Sequence, residues 1–175
     1  IDEGLAVPLL IGRPSVIEAR IAKAKLRMKR GTDVTCVNPD DDPGFREYWQ
    51  ACHQLMGRRG VGPEAAKAAV HRSNTIIAAL MVRLGDADGM LCGMHGRFDA
   101  HLENIENIIG LQPGATTLAT LSALSMDKRT LFIADTYVNE TPTSEQLARI
   151  ALKSVEQVRT FGLPPKVAFL SHSNY

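Results

Sequence analysis

The chain has 175 residues, of which 45% are hydrophobic, and this length allows a compact fold to bury a core without disulfides or metals. Lysine and arginine total 20 against 19 acidic residues, which gives a formal net charge of +1. Nearly equal numbers of basic and acidic residues leave no excess of positive charge to attract a polyanion. We therefore predict no nucleic acid and no membrane among the partners. No apolar run reaches the roughly 18 residues of a membrane span, and the amino terminus does not resemble a signal peptide, so we expect a cytoplasmic protein.

The first residues predict a strand, a helix and a second strand that form one parallel unit. Leu5–Gly12 is a short apolar run that ends in a turn, as expected of a buried parallel strand. Pro14 suits the first turn of the following helix, in which apolar positions alternate with basic residues until Gly31. Asp33–Val37 is rich in β-branched residues and predicts the second strand.

Three consecutive aspartates, Asp40, Asp41 and Asp42, follow this unit and allow two interpretations. They could bind a metal ion, although calcium loops use alternating ligands rather than a contiguous run. They could instead complement the positive amino end of the helix predicted over 45–58. The spacing favours the second interpretation, and we predict no metal site in this chain.

The middle of the chain predicts two helices with a strand between them. Glu64–Leu84 has the apolar periodicity of one long helix, Met90–Gly93 is typical of a buried strand, and 99–109 is again helical. A Pro-Gly pair then breaks the chain before a new strand pattern begins. We place a domain boundary there, which divides the chain into partial α/β subdomains over 1–112 and 113–175.

The second subdomain begins with two strand patterns, Leu118–Met126 and Leu131–Ala134, joined by a charged turn. The second pattern is continuously apolar, as expected of a strand buried on both faces. A helix follows with the capping-box spacing of Thr143 and Gln146, and Lys166–Ser171 predicts a last buried strand. Together these elements predict an α/β fold of three layers, α/β/α, with a mostly parallel sheet and two partial subdomains around a cleft.

Polar residues follow three of the predicted strands, and the carboxyl ends of parallel strands meet at the edge where ligands bind. Arg97 would hold an anion, because a guanidinium matches phosphate oxygens bidentately. The alternatives are a turn aspartate at Asp135 and a surface histidine at His172. No catalytic triad or phosphate loop is present, so we assign no catalytic residue. The candidate ligand-binding residues are His95, Arg97, Asp135, Asn139, Ser171, His172, Ser173 and Asn174.

The pattern Ala-Asp-x-x-Val-Asn-x-x-Pro-Thr-x-Glu-Gln-Leu-Ala, which begins at Ala134, resembles a motif shared across the phosphate acetyl/butyryl transferase family. Asn38-Pro-Asp-Asp-Asp and His172-Ser-Asn resemble one branch of it, the phosphotransacetylase-like domain of bacterial NADP-dependent malic enzymes. The resemblance implies the phosphotransacetylase fold, which is similar to that of isocitrate and isopropylmalate dehydrogenases. Further matching segments are Glu47-Tyr-Trp, Leu55-Met-Gly-Arg-Arg-Gly-Val, Gly96-Arg-Phe-Asp-Ala-His-Leu and Lys166-Val-Ala-Phe-Leu-Ser.

In the transferases, the resemblance implies, the thiol of coenzyme A attacks acetyl phosphate in a cleft between two α/β domains. This chain departs from the family pattern at two positions. Phe98 stands where a hydroxyl is typical, and Glu103 stands where a phosphate-binding arginine is typical. Because a carboxylate repels acetyl phosphate, we expect a non-catalytic domain that senses acetyl-coenzyme A. The alternative is an active phosphate acetyltransferase in which Arg97 holds the phosphate.

The malic enzyme branch also implies an activity for the parent chain, the oxidative decarboxylation of malate to pyruvate. That activity would use NADP and a divalent metal, Mg or Mn, bound by residues outside these 175. Within the 175 residues we expect no cofactor, acetyl-coenzyme A as the effector, and a homo-oligomer that is at least a dimer.

Overall fold

The computed structural model describes residues 1–170, which form an α/β chain of two compact units, Ile1–Gly110 and a second that begins at Leu111. In this part of the chain no helix combines the length and hydropathy that a membrane crossing needs. The first unit contains β1 (Leu9–Ile11), α1 (Pro14–Lys23), β2 (Thr35–Val37), α2 (Phe45–Met56), a 3-10 turn (Gly57–Arg59), α3 (Pro63–Arg72), α4 (Asn74–Leu84) and α5 (Phe98–Ile108). The second contains β3 (Leu121–Met126), β4 (Arg129–Ala134) and α6 (Ser144–Thr160).

The predicted strand, helix and strand at the start of the chain are confirmed. β1 and β2 pair in parallel, with Leu10 opposite Cys36, and the ladder continues through a hydrogen bond from Gly12 N to the oxygen of Val37 at 2.9 Å. The helix between them is shorter than predicted, because Lys25 adopts a left-handed conformation with φ of 52° shortly after α1 ends. The remaining residues before β2 form turns, irregular backbone and an isolated bridge between Arg30 and Val34 rather than helix.

The core of the first unit lies around α4, whose sequence is apolar on almost every side. Helices α2, α3 and α5 all contact α4. Val70, Ile77 and Leu80 are at most 1% exposed, and burying each such side chain stabilises the fold by roughly 1.5–3 kcal/mol. A helix that is apolar all round has to be enclosed by its neighbours, which is what the packing shows.

The prediction of one long helix over 64–84 is wrong, because the chain breaks at Ser73 into α3 and α4. Ser73 is extended, with φ of −127° and ψ of 106°, and its side chain accepts a hydrogen bond from Ile76 N at 3.3 Å. A serine in this position satisfies one of the free N–H groups at the start of a helix. The break allows both helices to pack their apolar faces against α2.

Two predicted strands are also absent from the described residues. Residues 90–93 form no strand, and Leu91 and Met94 are fully exposed. Residues 166–170 form no strand either and are exposed, while the end of that segment, Ser171, lies outside the described part of the chain. An apolar run predicts a strand only if a neighbouring strand offers its backbone, and β1 and β2 pair with each other alone in the described sheet.

The two strands predicted in the second unit are confirmed, and they form a hairpin in which β3 and β4 are antiparallel around a two-residue turn. The prediction that β4 is buried on both faces is wrong. On one face Phe132 packs against Phe161 at the end of α6, with ring centroids 5.3 Å apart. On the other face the cross-strand pair Leu124 and Leu131 is 45% exposed at each residue.

The predicted capping box at the start of α6 is confirmed by both of its hydrogen bonds. The N–H of Gln146 donates to Thr143 Oγ1 at 3.2 Å, and the N–H of Thr143 donates to Gln146 Oε1 at 2.8 Å. This reciprocal pair satisfies two backbone donors and sets where α6 begins.

Tyr48 joins the core of the first unit to the turn after α4. Its side chain is 6% exposed, and its hydroxyl donates a hydrogen bond to Asp86 Oδ2 at 3.2 Å. Burial of the phenol, reinforced by the negative charge of Asp86, raises the pKa of Tyr48 from 10.0 to about 12. The phenol therefore stays neutral in the folded chain over a range in which an unfolded chain would release its proton.

Replacing Ser73 by alanine should lower the free energy of unfolding by about 1 kcal/mol, because the first turn of α4 loses its capping acceptor. Urea denaturation followed by circular dichroism measures the change. Ser15→Ala is the matched control, since Ser15 lies exposed in α1, where it caps no helix. A loss no larger in Ser73→Ala than in the control would contradict the capping role.

The raised pKa of Tyr48 should make stability fall as pH rises from 10.0 towards about 12, because only the unfolded chain then releases the phenol proton. The stabilisation is complete below pH 10.0 and is lost as pH passes the folded pKa. The measurement is the free energy of unfolding against pH for the wild type and for Tyr48→Phe. Equal slopes for both proteins over this range would show that Tyr48 does not cause the decrease.

Candidate functional site

Arg97, the predicted anion-binding residue, lies exposed at the amino end of α5, where it is the N-cap residue. Its guanidinium binds the carboxylate of Asp99, with Nε donating to Oδ1 at 3.0 Å and Nη2 donating to Oδ2. This hydrogen-bonded pair raises the pKa of Arg97 and lowers that of Asp99. An incoming anion would therefore have to compete with Asp99 for the fork of the arginine.

The start of α5 carries the two departures from the family pattern. Phe98 is its first residue and is 53% exposed, and Glu103 is exposed one turn further on. Asp99 and Glu103 are four residues apart, so both carboxylates lie on the same face of the helix. Acidic side chains are stabilised near the positive end of a helix, which also attracts anions such as phosphate.

His95 lies in the loop 88–96, between α4 and α5. Its carbonyl oxygen is 2.6 Å from Nε2 of His101, a residue of α5. The other ring nitrogen of His101, Nδ1, is 2.7 Å from the hydroxyl of Thr75, which is 7% exposed at the start of α4. His95 is thus held through its backbone, and its side chain is exposed.

Asp135 and Asn139 lie in the loop after β4 and bind each other. Asp135 Oδ2 accepts hydrogen bonds from the backbone N–H of Asn139 at 3.1 Å and from its Nδ2 at 2.7 Å. Asn139 Nδ2 also donates to the oxygen of Leu118 at 2.9 Å, and Asp135 Oδ1 accepts from Thr120 N at 3.3 Å. Asp135 has a left-handed backbone, with φ of 57°. These contacts are those of the turn aspartate that was the alternative at this position.

The described contacts separate the candidate residues into three groups. Asp135 and Asn139 are brought together, whereas His95 and Arg97 belong to the first unit and make their own contacts there. In the described residues no strand precedes His95, and β4 is antiparallel to its partner, so the parallel strands expected before these residues are not found. The third group lies outside the described residues and comprises Ser171, His172, Ser173 and Asn174.

Sequence reasoning missed several polar residues that hold these loops. His101 and Thr75 fix the loop 88–96, as described above. Ser122 in β3 lies 2.8 Å from the hydroxyl of Thr136, and Thr120 Oγ1 donates to the oxygen of Thr136 at 3.1 Å. The only sequence signal for Thr120, Ser122 and Thr136 was that small hydroxyl residues stand opposite a polar loop. The apolar pattern of the strands obscured this signal.

The aspartate run after β2 makes local contacts. Asp42 Oδ1 accepts from Gly44 N at 2.7 Å beside the start of α2, and Asp40 Oδ1 lies 2.9 Å from Nε2 of His71. Within residues 1–170, no three His, Cys, Asp or Glu side chains converge into a group that could bind a metal ion.

Replacing Asn139 by alanine should lower the free energy of unfolding by about 1–3 kcal/mol, because Asp135 loses a charge-assisted partner and the oxygen of Leu118 loses a donor. Chemical denaturation monitored by far-ultraviolet circular dichroism measures this. Glu140→Ala is the matched control, since Glu140 is the exposed neighbour in the same loop. If both variants are as stable as the wild type, Asn139 does not hold the loop.

Comparison with known proteins identifies the family to which the whole chain is similar. The family model described as phosphate acetyl/butaryl transferase matches residues 1–175. The NADP-dependent malic enzyme of Salmonella typhimurium is 49% identical over 172 residues, which are 98% of this chain and 23% of that protein. A phosphate acetyltransferase of Nitratidesulfovibrio vulgaris is 32% identical over 165 residues, which are 94% of this chain and 23% of that protein. The chain thus spans less than a quarter of the length of these curated relatives.

A solved structure confirms the predicted α/β fold class. The phosphotransacetylase from Streptococcus pyogenes superposes with a TM-score of 0.83 at 25% identity, over 98% of this chain and 51% of that one. The chain therefore belongs to the phosphate acetyl/butaryl transferase family, as a phosphotransacetylase-like domain that matches a region of NADP-dependent malic enzymes.

Proposed function

We propose that the chain is the phosphotransacetylase-like part of an NADP-dependent malic enzyme, that it binds acetyl-coenzyme A as an effector, and that it does not catalyse acyl transfer. The observation that carries the proposal is the acidic start of α5, where Asp99 and Glu103 share one face and Asp99 already binds Arg97. The identity of 49% with the malic enzyme of Salmonella typhimurium, against 32% with the phosphate acetyltransferase of Nitratidesulfovibrio vulgaris, supports the malic enzyme part of this proposal.

Acyl transfer from acetyl phosphate needs groups that the start of α5 does not supply. The reaction requires a base for the thiol, cations for the phosphate and donors for the developing oxyanion. Phe98 has no donor or acceptor in its side chain, and the charge of Glu103 has the wrong sign for a phosphate. Without a cation in place of Glu103, the charge that develops on the phosphate in the transition state is not stabilised.

Binding of an effector makes smaller demands on the same residues. Arg97 remains a cation with a bidentate fork, and its pair with Asp99 is exposed to solvent. Exposed ion pairs contribute little to stability, so a phosphate group of acetyl-coenzyme A can replace Asp99 at little cost. His95, Asp135 and Asn139, together with the segment 171–174, are the further candidates for contact with this ligand.

In the parent protein, we propose, malate is oxidatively decarboxylated to pyruvate with NADP and a divalent Mg or Mn ion. The groups that bind NADP and the metal belong to the part outside these 175 residues. The chain contributes regulation and assembly into a cytoplasmic homo-oligomer of at least two copies. The fraction of the malic enzyme that the chain spans leaves ample length for a separate catalytic part.

Replacing Arg97 by alanine in the full-length protein should abolish most of the response of malate oxidation to acetyl-coenzyme A. The expected change is a rise of about tenfold or more in the half-effective concentration, because the phosphate loses a bidentate charged partner. NADPH formation from malate, followed at 340 nm over a series of acetyl-coenzyme A concentrations, measures it.

Arg72→Ala is the control for this experiment, since Arg72 is an exposed arginine at the end of α3 in the same unit. It should respond to acetyl-coenzyme A as the wild type does. An unchanged response in Arg97→Ala would remove Arg97 from the effector site, and a wild type without any response would contradict the regulatory function.

A further inference from the structure

His101 links the buried start of α4 to the loop that precedes Arg97. Its Nε2 lies 2.6 Å from the carbonyl oxygen of His95, and its Nδ1 lies 2.7 Å from the hydroxyl of Thr75. Thr75 is 7% exposed at the start of α4, the helix at the centre of the first unit. One imidazole ring therefore connects a fixed point in the core to a point in the loop 88–96.

The chemistry of the partners determines where the proton of His101 lies. A carbonyl oxygen only accepts hydrogen bonds, so Nε2 must carry the hydrogen and donate to His95. In the neutral ring Nδ1 is then an acceptor, and the hydroxyl of Thr75 donates to it. The ring is thus held in one tautomer and one orientation from both sides.

The loop has little else to hold it. Within residues 1–170, the bond from His101 to the oxygen of His95 is the only hydrogen bond made by residues 88–96. Leu91 and Met94 are fully exposed, while Met90 packs against the core and holds only the start of the loop. Gly96 has φ of +96°, and a Cβ at that position would lie 3.1 Å from Nε2 of His101, so the glycine allows the loop to approach the ring closely.

We propose that His101 is a positioning residue of the effector site: its Nε2–H holds the backbone of His95 and so places Arg97, two residues later, for a phosphate group of acetyl-coenzyme A. This inference rests on the proposed function for the identity of the ligand. The contact itself requires no ligand. Its role would be to reduce the conformational freedom that the loop loses on binding.

A merely structural role would be packing of α5 against α4, and two conservative variants distinguish it from positioning. The amide nitrogen of glutamine reaches approximately the place of Nε2, so His101→Gln can still donate to His95. The amide of asparagine reaches approximately the place of Nδ1, so His101→Asn keeps contact with Thr75 and loses the bond to His95. Both variants remove the ring, and a packing role would be affected in both.

The experiment titrates acetyl-coenzyme A into the full-length wild type and both variants by isothermal calorimetry. His101→Asn should raise Kd about three- to tenfold, the effect of one lost hydrogen bond that orders a binding loop, while His101→Gln should stay within about twofold of the wild type. Equal weakening in both variants, or no weakening in His101→Asn, would overturn the positioning role.

Nuclear magnetic resonance of the same proteins separates this inference from the proposed function. If the wild type binds no acetyl-coenzyme A, the proposed function fails, and the contact is then tested without a ligand. Nitrogen-15 shifts of the ring should show the Nε2–H tautomer, and the order parameter of the Gly96 amide should fall in His101→Asn but not in His101→Gln. The opposite tautomer, or a loop equally ordered in both variants, would contradict the inference.

Discussion

The burial of α4 is the constraint on which the first unit depends. This helix is apolar on nearly all sides, so α2, α3 and α5 must enclose it, and Ile77 and Leu80 lose almost all contact with water. The enclosure fixes Thr75 at the start of α4, and through His101 the fixed position extends to the loop before Arg97. Packing in the core and placement of the loop before Arg97 are therefore consequences of the same burial.

Local signals in the sequence predicted the helices well and the sheet less well. Thr143 and Gln146 predict the start of α6, because a capping box depends only on residues within one helical turn of each other. The break at Ser73 could not be seen, since a serine within an apolar helical pattern is also tolerated as a helical residue. Residues 90–93 show the same limit for strands, because an apolar run does not reveal whether another strand will be available to pair with it.

The candidate site was predictable in its residue types but not in its contacts. A guanidinium near the start of a helix predicts anion binding, yet the sequence does not show that Arg97 is already hydrogen-bonded to Asp99. The family pattern at Asp135 and Asn139 is recognisable from the chain alone, whereas their hydrogen bonds to Leu118 and Thr120 depend on the return of the chain. Contacts between residues distant in sequence require the fold before they can be named.

The central claim is that the acidic face at the start of α5 leaves a phosphotransacetylase-like domain that binds without catalysing acyl transfer. It is tested most directly by measuring phosphate release from acetyl phosphate in the presence of coenzyme A and the full-length protein. We predict that release remains at the rate found without the protein. Release at an enzymatic rate, dependent on coenzyme A, would show that Phe98 and Glu103 do not prevent catalysis and would contradict the account.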